Sequence, residues 1–314
     1  MTTPLLIDCD TGIDDALAIL YAAGNGADVR ACTVTHGNVP VPLGARNTRT
    51  VLDVAGLGHV PVYEGAAQPM AQPLMTAELV HGQDGLGDAD ITPSTHPISG
   101  DLAAVEIVRL AREMPGELIL VAIGPLTNVA IALLLEPRLP TLIQRVVVMG
   151  GVIGAPGNAS ETGEANIWHD PEAASLVVAA AWDVLFVGLE ITMQTALPQD
   201  VLARIAASRD PRARIAWKIM QRYLDVYEQS LKERTCILHD PLAVALAIEP
   251  TLATYRMLRA FVECSPGRTR GMLVGDLRGY HPDPDNPREP GVIRIVDALD
   301  TGAFHQRFLS ALGA

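Results

Sequence analysis

Leu5-Leu6-Ile7-Asp8-Cys9-Asp10-Thr11-Gly12-Ile13-Asp14-Asp15-Ala16-Leu17-Ala18-Ile19-Leu20 starts as a short apolar run and passes through a turn holding four aspartates and a glycine. It ends in a stretch with helical apolar spacing. A run of three to six apolar residues reads as a strand buried on both faces, and the spacing after it reads as a crossover helix. The same alternation continues outward. Strands are expected at residues 29–34, 60–63, 118–123, 146–149 and 185–189, with helices at 16–23, 45–55, 102–112 and 126–135. This rhythm predicts an α/β fold with a mostly parallel, Rossmann-like central sheet flanked by helices. A polar, glycine-rich stretch at 64–100 interrupts it. Further on, helices are expected at 201–207, 213–231, 241–248 and 303–312, and strands at 261–262 and 292–296. Residues 281–290, rich in proline and aspartate, read as a surface loop. No internal repeat is visible, and residues 1–314 read as one domain.

Apolar residues make up 49% of the 314 and charged residues 19%, enough for a core and too few charges for a disordered chain. Lys plus Arg is 23 against Asp plus Glu 36, a net charge of -13. Such a surface repels nucleic-acid phosphates and anionic membranes unless it carries a basic patch. The densest basic stretch, 256–270, is broken by Glu263 and apolar residues, so neither partner is expected. Cys9, Cys32, Cys236 and Cys264 lack CxxC spacing, which argues against a zinc or redox motif. Neither a signal-peptide pattern nor an apolar run long enough to span a membrane is present. A cytoplasmic protein is the expectation.

In a parallel sheet, ligands bind beyond the carboxyl ends of the strands. Those ends are polar here: Asp8 to Asp15, Thr35-His-Gly-Asn38, Gly124-Pro-Leu-Thr-Asn128 and Met149-Gly-Gly151. Four carboxylates within eight residues repel one another, and a hard divalent cation relieves them; Ca²⁺ accepts six to eight oxygens. Asp14 and Asp15 also suit the positive end of a helix, so capping accounts for one or two of the four. Taken alone, Gly124 to Asn128 is a turn with a helix cap, and His239-Asp240-Pro241 is a helix start with proline in its first turn. The loop Gly157-Asn-Ala-Ser-Glu-Thr-Gly-Glu-Ala-Asn166 strings together amides and carboxylates suited to sugar hydroxyls.

Together these residues resemble the nucleoside hydrolase family, the inosine-uridine preferring N-ribohydrolases, over nearly the whole chain. The resemblance rests on an ordered set: Asp8-Cys-Asp-Thr-Gly-Ile-Asp-Asp15, Gly37-Asn38, His81-Gly-Gln-Asp-Gly-Leu-Gly87, Gly124 to Asn128, Met149 to Gly151, Glu164-Ala-Asn166 followed by Asp170 to Ala174, and His239 to Pro241. Cys9 and Thr11 depart from the family's usual Thr and Pro, both between ligand positions, and neither departure removes an oxygen that the implied mechanism needs.

The resemblance implies a Ca²⁺ held by Asp10, Asp15, Asp240 and the backbone carbonyl of Thr127, with Asp10 also taking the proton of the attacking water. It implies that Asp14, Asn38, Glu164 and Asn166 bind ribose hydroxyls, with Asn158 near the 5′ end and Met149 beneath the sugar. His239 would serve the leaving base, and His81 would lie in a mobile loop over it. Tyr223 and Tyr227, four apart on one helical face, either close over the base or belong to the core. The expected activity is hydrolysis of ribonucleosides to ribose and a free base in nucleoside salvage. The family commonly forms homodimers or homotetramers. Two rival readings are a haloacid-dehalogenase-like phosphohydrolase, whose Asp-x-Asp spacing to a following Thr fails here, and a nucleoside-binding protein without turnover. The preferred base stays open.

Overall fold

A computed structural model describes residues 3–279, 282–283 and 285–314. Its sheet has nine strands: β1 (Pro4–Cys9), β2 (Asp28–Val34), β3 (Val62–Glu64), β4 (Ile119–Ala122), β5 (Arg145–Met149), β6 (Val184–Val187), β7 (Ala253–Val262), β8 (Leu273–Gly275) and β9 (Val292–Leu299). They lie in the order β3-β2-β1-β4-β5-β6-β9-β7-β8. All pairings from β3 through β9 are parallel; β7 is antiparallel to both β9 and β8. The expected mostly parallel α/β sheet is therefore present.

The order decides where a ligand can go. From β1 the chain steps outward through β2 to β3, then returns to the other side of β1 to lay down β4. β1 thus sits between β2 and β4, with Ile7 beside both Cys32 and Val121. Crossover helices leave in opposite directions at this point, opening a crevice beyond the carboxyl end of β1. The aspartate turn occupies it.

Side chains alternate along each strand between two cores. Leu5, Ile7, Cys9, Val147 and Val187 face one core; Leu6, Val146, Val148 and Phe186 face the other. The helix Ile13–Gly24 is buried from Ile13 through Ala22, apolar on nearly every side, which marks a core helix rather than a surface one. It packs against the helices His239–Ile248 and Thr301–Leu312, and Tyr21 stacks on Phe308 at 6.4 Å between ring centres. Truncating a fully buried side chain such as Leu17 to Ala costs about 2–5 kcal/mol. This packing rigidly supports the turn that precedes the helix.

Several expectations shift. The strand foreseen at 261–262 is the ten-residue β7, where exposed Thr254 and Arg256 alternate with more buried neighbours. Antiparallel strands with one wet face read this way, and no continuous apolar run announces them. The helix Pro171–Ala179, capped by the Asp170 carboxylate accepting from the Ala173 N–H at 3.1 Å, and the short β8 were not anticipated. The strand expected at 185–189 stops at Val187, because Leu189 opens a short helix, Leu189–Thr192. Of the loop expected at 281–290, His281 and Pro284 lie outside the described residues; the described remainder holds neither helix nor strand. Among the described residues no helix is long and apolar enough to cross a membrane.

Candidate active site

A cleft of about 380 Å³ opens over the crevice and is lined by Asp14, Asn38, His81, Met149, Asn158, Glu164, Asn166, Tyr223, Tyr227, His239 and Asp240. At its floor, carboxylates from two distant parts of the chain meet. Oxygens of Asp14, Asp15 and Asp240 lie within 4.8 Å of one another, all buried. Asp10 joins them through the backbone: its N–H donates to Asp15 Oδ1 at 3.0 Å, and the Asn38 N–H donates to Asp10 Oδ2 at 2.6 Å. Asn38 Nδ2 donates to Asp15 Oδ2 at 3.0 Å. No Lys or Arg lines this cleft among the described residues.

Two glycines make the approach possible. A Cβ on Gly12 would stand 2.2 Å from His81 Nδ1, and one on Gly37, whose φ is +151°, would stand 2.0 Å from Asp10 Oδ2. The Gly12 N–H donates to Asp15 Oδ2 at 2.9 Å and the Ile13 N–H to His81 Nδ1 at 3.1 Å. Two helix-start N–H groups thus find side-chain acceptors. The capping role foreseen for these acids holds for Asp15, in addition to its place in the cluster.

The electrostatics are unbalanced. Burial, followed by the charge of Asp15, pushes Asp10 well above the usual carboxylate range, and burial plus the charges of Asp14, Asp15 and Asp10 does the same to Asp240. Burial and then Asp14 push Asp15 up to about 7, and burial raises Asp14. Asp10 Oδ1 and Asp14 Oδ1 are buried without a hydrogen-bond partner. Orphaned carboxylate oxygens close to one another, with no Lys or Arg lining the cleft among the described residues, fit the oxygen-only donor set of a hard divalent ion. Asp14 and Asp240 line the cleft; Asp10 and Asp15 are tied to each other and to Asn38 without lining it. Asp8, the fourth acid of the turn, is held apart: its Oδ1 accepts from Thr33 Oγ1 at 2.6 Å and from Asn128 Nδ2 at 2.9 Å, and its Oδ2 is buried without a partner.

Thr127 and Asn128 turn out to be braces rather than caps. The Thr127 hydroxyl donates to Asp170 Oδ2 at 2.7 Å and lies 2.9 Å from His36 Nε2, and Thr127 is not among the residues lining the cleft. Asn128 Oδ1 accepts from the Ala66 N–H at 2.8 Å, tying the glycine-rich stretch to β1 through Asp8.

The amide-rich loop supplies one wall. Glu164 begins the short helix Ala165–His169, where its carboxylate accepts from the N–H groups of Gly151, Asn166 and Ile167 at 2.8, 2.9 and 3.2 Å. Burial still raises it to about 7. Asn166 Nδ2 donates to the carbonyls of Ile123 and Met149 at 3.0 and 3.1 Å, and Asn158 Oδ1 accepts from Ala165 N–H at 2.9 Å. These bonds fix the loop.

An aromatic wall faces it. Tyr227 OH lies 2.9 Å from His239 Nε2, and Tyr223 OH lies 3.4 Å from His81 Nε2. The rings of Tyr223 and Tyr227 meet edge-on at 5.5 Å. Both tyrosines line the cleft, and both also pack in or against the core, so the two readings left open above are not exclusive. His81 sits in the short helix Glu78–His81, buried and accepting from Ile13 N–H, and burial lowers its pKa to about 3. It is a neutral, fixed group here. Burial also lowers His239. Trp168 and His169 line the cleft and were not foreseen. Their one signal is position, two and three residues after Asn166 on the same helix.

The family model described as inosine-uridine preferring nucleoside hydrolase matches residues 5–306. An inosine-uridine preferring nucleoside hydrolase from Crithidia fasciculata is 35% identical over 286 residues, covering 90% of this chain and 90% of that protein. Uridine nucleosidase 1 from Arabidopsis thaliana is 33% identical over 273 residues, 86% of this chain and 80% of that one. The solved structure of a purine-preferring ribonucleoside hydrolase from Gardnerella vaginalis superposes with a TM-score of 0.90 at 31% identity, covering 98% of each chain.

Proposed function

The chain belongs to the inosine-uridine preferring nucleoside hydrolase family, and we propose that its cleft hydrolyses ribonucleosides to ribose and a free base with Ca²⁺ held by Asp10, Asp15, Asp240 and the carbonyl of Thr127. The protein is a ribonucleoside N-glycosidase; the cation, the individual roles and the cellular setting are the proposal. One observation carries it: buried carboxylates gathered from two distant parts of the chain, with Asp10 Oδ1 and Asp14 Oδ1 unpartnered, meet at a cleft that no Lys or Arg lines among the described residues.

A Ca²⁺ bound there supplies the positive charge that lets these acids ionise together and that acidifies a water molecule. Asp10 would accept the proton of the attacking water. Its Oδ2 is held by the Asn38 N–H while Oδ1 is free, and a proton acceptor must lie within hydrogen-bond reach of its proton. As the N-glycosidic bond breaks, positive charge grows on the ribose ring. Asp14 and Glu164, already oriented, stabilise it without reorganising. Asn38, Asn158 and Asn166 position the hydroxyls, and Met149 packs under the ring. The water oxygen joins C1′ and the base leaves with the bond's electron pair, accepting a proton from the side where His239 and Tyr227 stand.

The relatives' names differ in the base they specify, so the shared element is the ribose. An acid-lined cleft also repels a substrate phosphate, which separates this chemistry from phosphohydrolysis, and Asp8 does not line the cleft. Salvage in the cytoplasm by a homodimer or homotetramer is the setting we propose; release of a free base and four free thiols support it.

Ribose release from uridine and inosine, measured with and without a chelator, tests the reading. Turnover that disappears on chelation and returns with Ca²⁺ is expected. Turnover indifferent to chelation, or phosphate release from nucleotides in place of ribose release, overturns it.

A further inference from the structure

We propose that Thr192 is a positioning residue for His239, holding its imidazole in the plane from which it serves the departing base. This rests on the reading of His239 above.

Both ring nitrogens of His239 are engaged. Thr192 Oγ1 lies 2.8 Å from Nδ1 and Tyr227 OH lies 2.9 Å from Nε2. Whichever way the protons run, a ring tied at two opposite edges cannot rotate about its terminal torsion. Tyr227 lines the cleft; Thr192 does not, being fully buried behind the histidine at the end of the helix Leu189–Thr192. Only the hydroxyl of Thr192 reaches the site, and it reaches it through His239.

The support extends one layer deeper. Thr195 Oγ1 donates to the Thr192 carbonyl at 2.7 Å and accepts from the N–H of Leu238, the residue before His239, at 3.0 Å. His305 Nε2 lies 3.1 Å from the Thr195 carbonyl. The segment that follows β6 therefore grips His239 at its ring and at its adjoining backbone. Without the Thr192 hydroxyl, Nδ1 is left unpaired in a buried place, and the ring can pivot on its remaining bond to Tyr227. Misplacement of a reacting group by about 1 Å can cost about 10²-fold in rate.

The test pairs Thr192→Val, which keeps shape and removes the hydroxyl, with Thr192→Ser, which keeps the hydroxyl. Thr192→Ala stands beside Val as a second hydroxyl-free variant that cannot overpack. Each is assayed as the full chain on uridine, on inosine and on p-nitrophenyl β-D-ribofuranoside, whose leaving group departs without a proton. For Val and Ala we expect kcat on the nucleosides to fall about 10- to 100-fold with KM changed less than about two-fold. Turnover of the nitrophenyl riboside stays near wild type, Ser restores the nucleoside rate, and Thr192→Val adds nothing further to His239→Ala. Equal losses on both substrate types, or no loss on nucleosides, overturn the proposal. If His239→Ala itself lowers both substrate types alike, the reading of His239 falls and this inference with it. If His239→Ala is selective and Thr192→Val is not, the inference alone fails.

Discussion

Acids in this molecule live in two different environments. Away from the cleft, several carboxylates meet arginines. Glu136 is held by Arg112 and Arg138 and drawn down to about 2; Asp276 is drawn to about 2 by Arg278; Asp183 sits between Arg145 and Arg294 at 3.0 and 2.7 Å. At the carboxyl end of β1 the reverse holds. Asp10, Asp14, Asp15, Asp240 and Glu164 are buried, all pushed upward, and no arginine or lysine lines their cleft among the described residues. A chain able to pair its structural acids with arginines leaves these five without a Lys or Arg partner in the cleft. The contrast locates function more sharply than either the burial or the charge alone, because perturbed acids concentrate where a ligand or reaction uses them.

The contrast can be broken hardest at Asp10. Asp10→Ala should lower kcat/KM on uridine by about 10⁵-fold, combining the loss of a proton acceptor, about 10²–10⁴, with the 10- to 100-fold typical of support to a metal site. A variant retaining a tenth of wild-type turnover would place the base elsewhere. Substrate hydroxyls are the next probe, since the cleft acids and amides are built to pair with them. 2′-Deoxyuridine should be hydrolysed about 10⁴-fold less efficiently than uridine, and comparable kcat/KM values would contradict these assignments.

Stability against pH sharpens the comparison at moderate size. Asp15 and Glu164 bind protons more tightly folded than unfolded, being raised to about 7 from the ordinary range near 4. Their cost to folding is absent below that range, grows as pH rises from about 4 to 7, and is complete above the folded value. Chelated protein should therefore melt roughly 5 °C or more lower at pH 8 than at pH 5, and Ca²⁺ should remove most of the difference. Asp8, raised by burial to about 7 outside the cleft, should respond to Asp8→Asn and not to Ca²⁺. A melting temperature that rises with pH in the chelated protein would reverse the sign of this scheme. The smallest effect is expected at the arginine-paired acids: Glu136→Gln should keep turnover within about two-fold and lower the melting temperature by only a few degrees. A large loss of turnover there would erase the distinction between the two environments.

Much of the parallel sheet was legible because strands buried on both faces leave unbroken apolar runs, as at Val146 to Met149. β7 was not, because its exposed Thr254 and Arg256 dilute the pattern. In the cleft, Asp10, Asp14, Asp15 and Asp240 could be singled out by spacing and family resemblance. That Asp8 turns away follows from a period of two, which puts it on the face of Leu6, but an acid at a strand end looks the same from either side in a motif. Thr192 carries no local signature. It touches His239, which only the tertiary fold brings beside it, so no spacing rule reaches it.

Calorimetric titration of Ca²⁺ into the chelator-treated full-length protein, beside Asp240→Asn and Glu136→Gln, bears most directly on why the cleft acids stand unpaired. Wild type and Glu136→Gln should each take up a single ion per chain, and Asp240→Asn should bind far more weakly. Wild-type protein that takes up no Ca²⁺, or Asp240→Asn that binds it as tightly as wild type, would contradict a cation as the missing partner of these carboxylates.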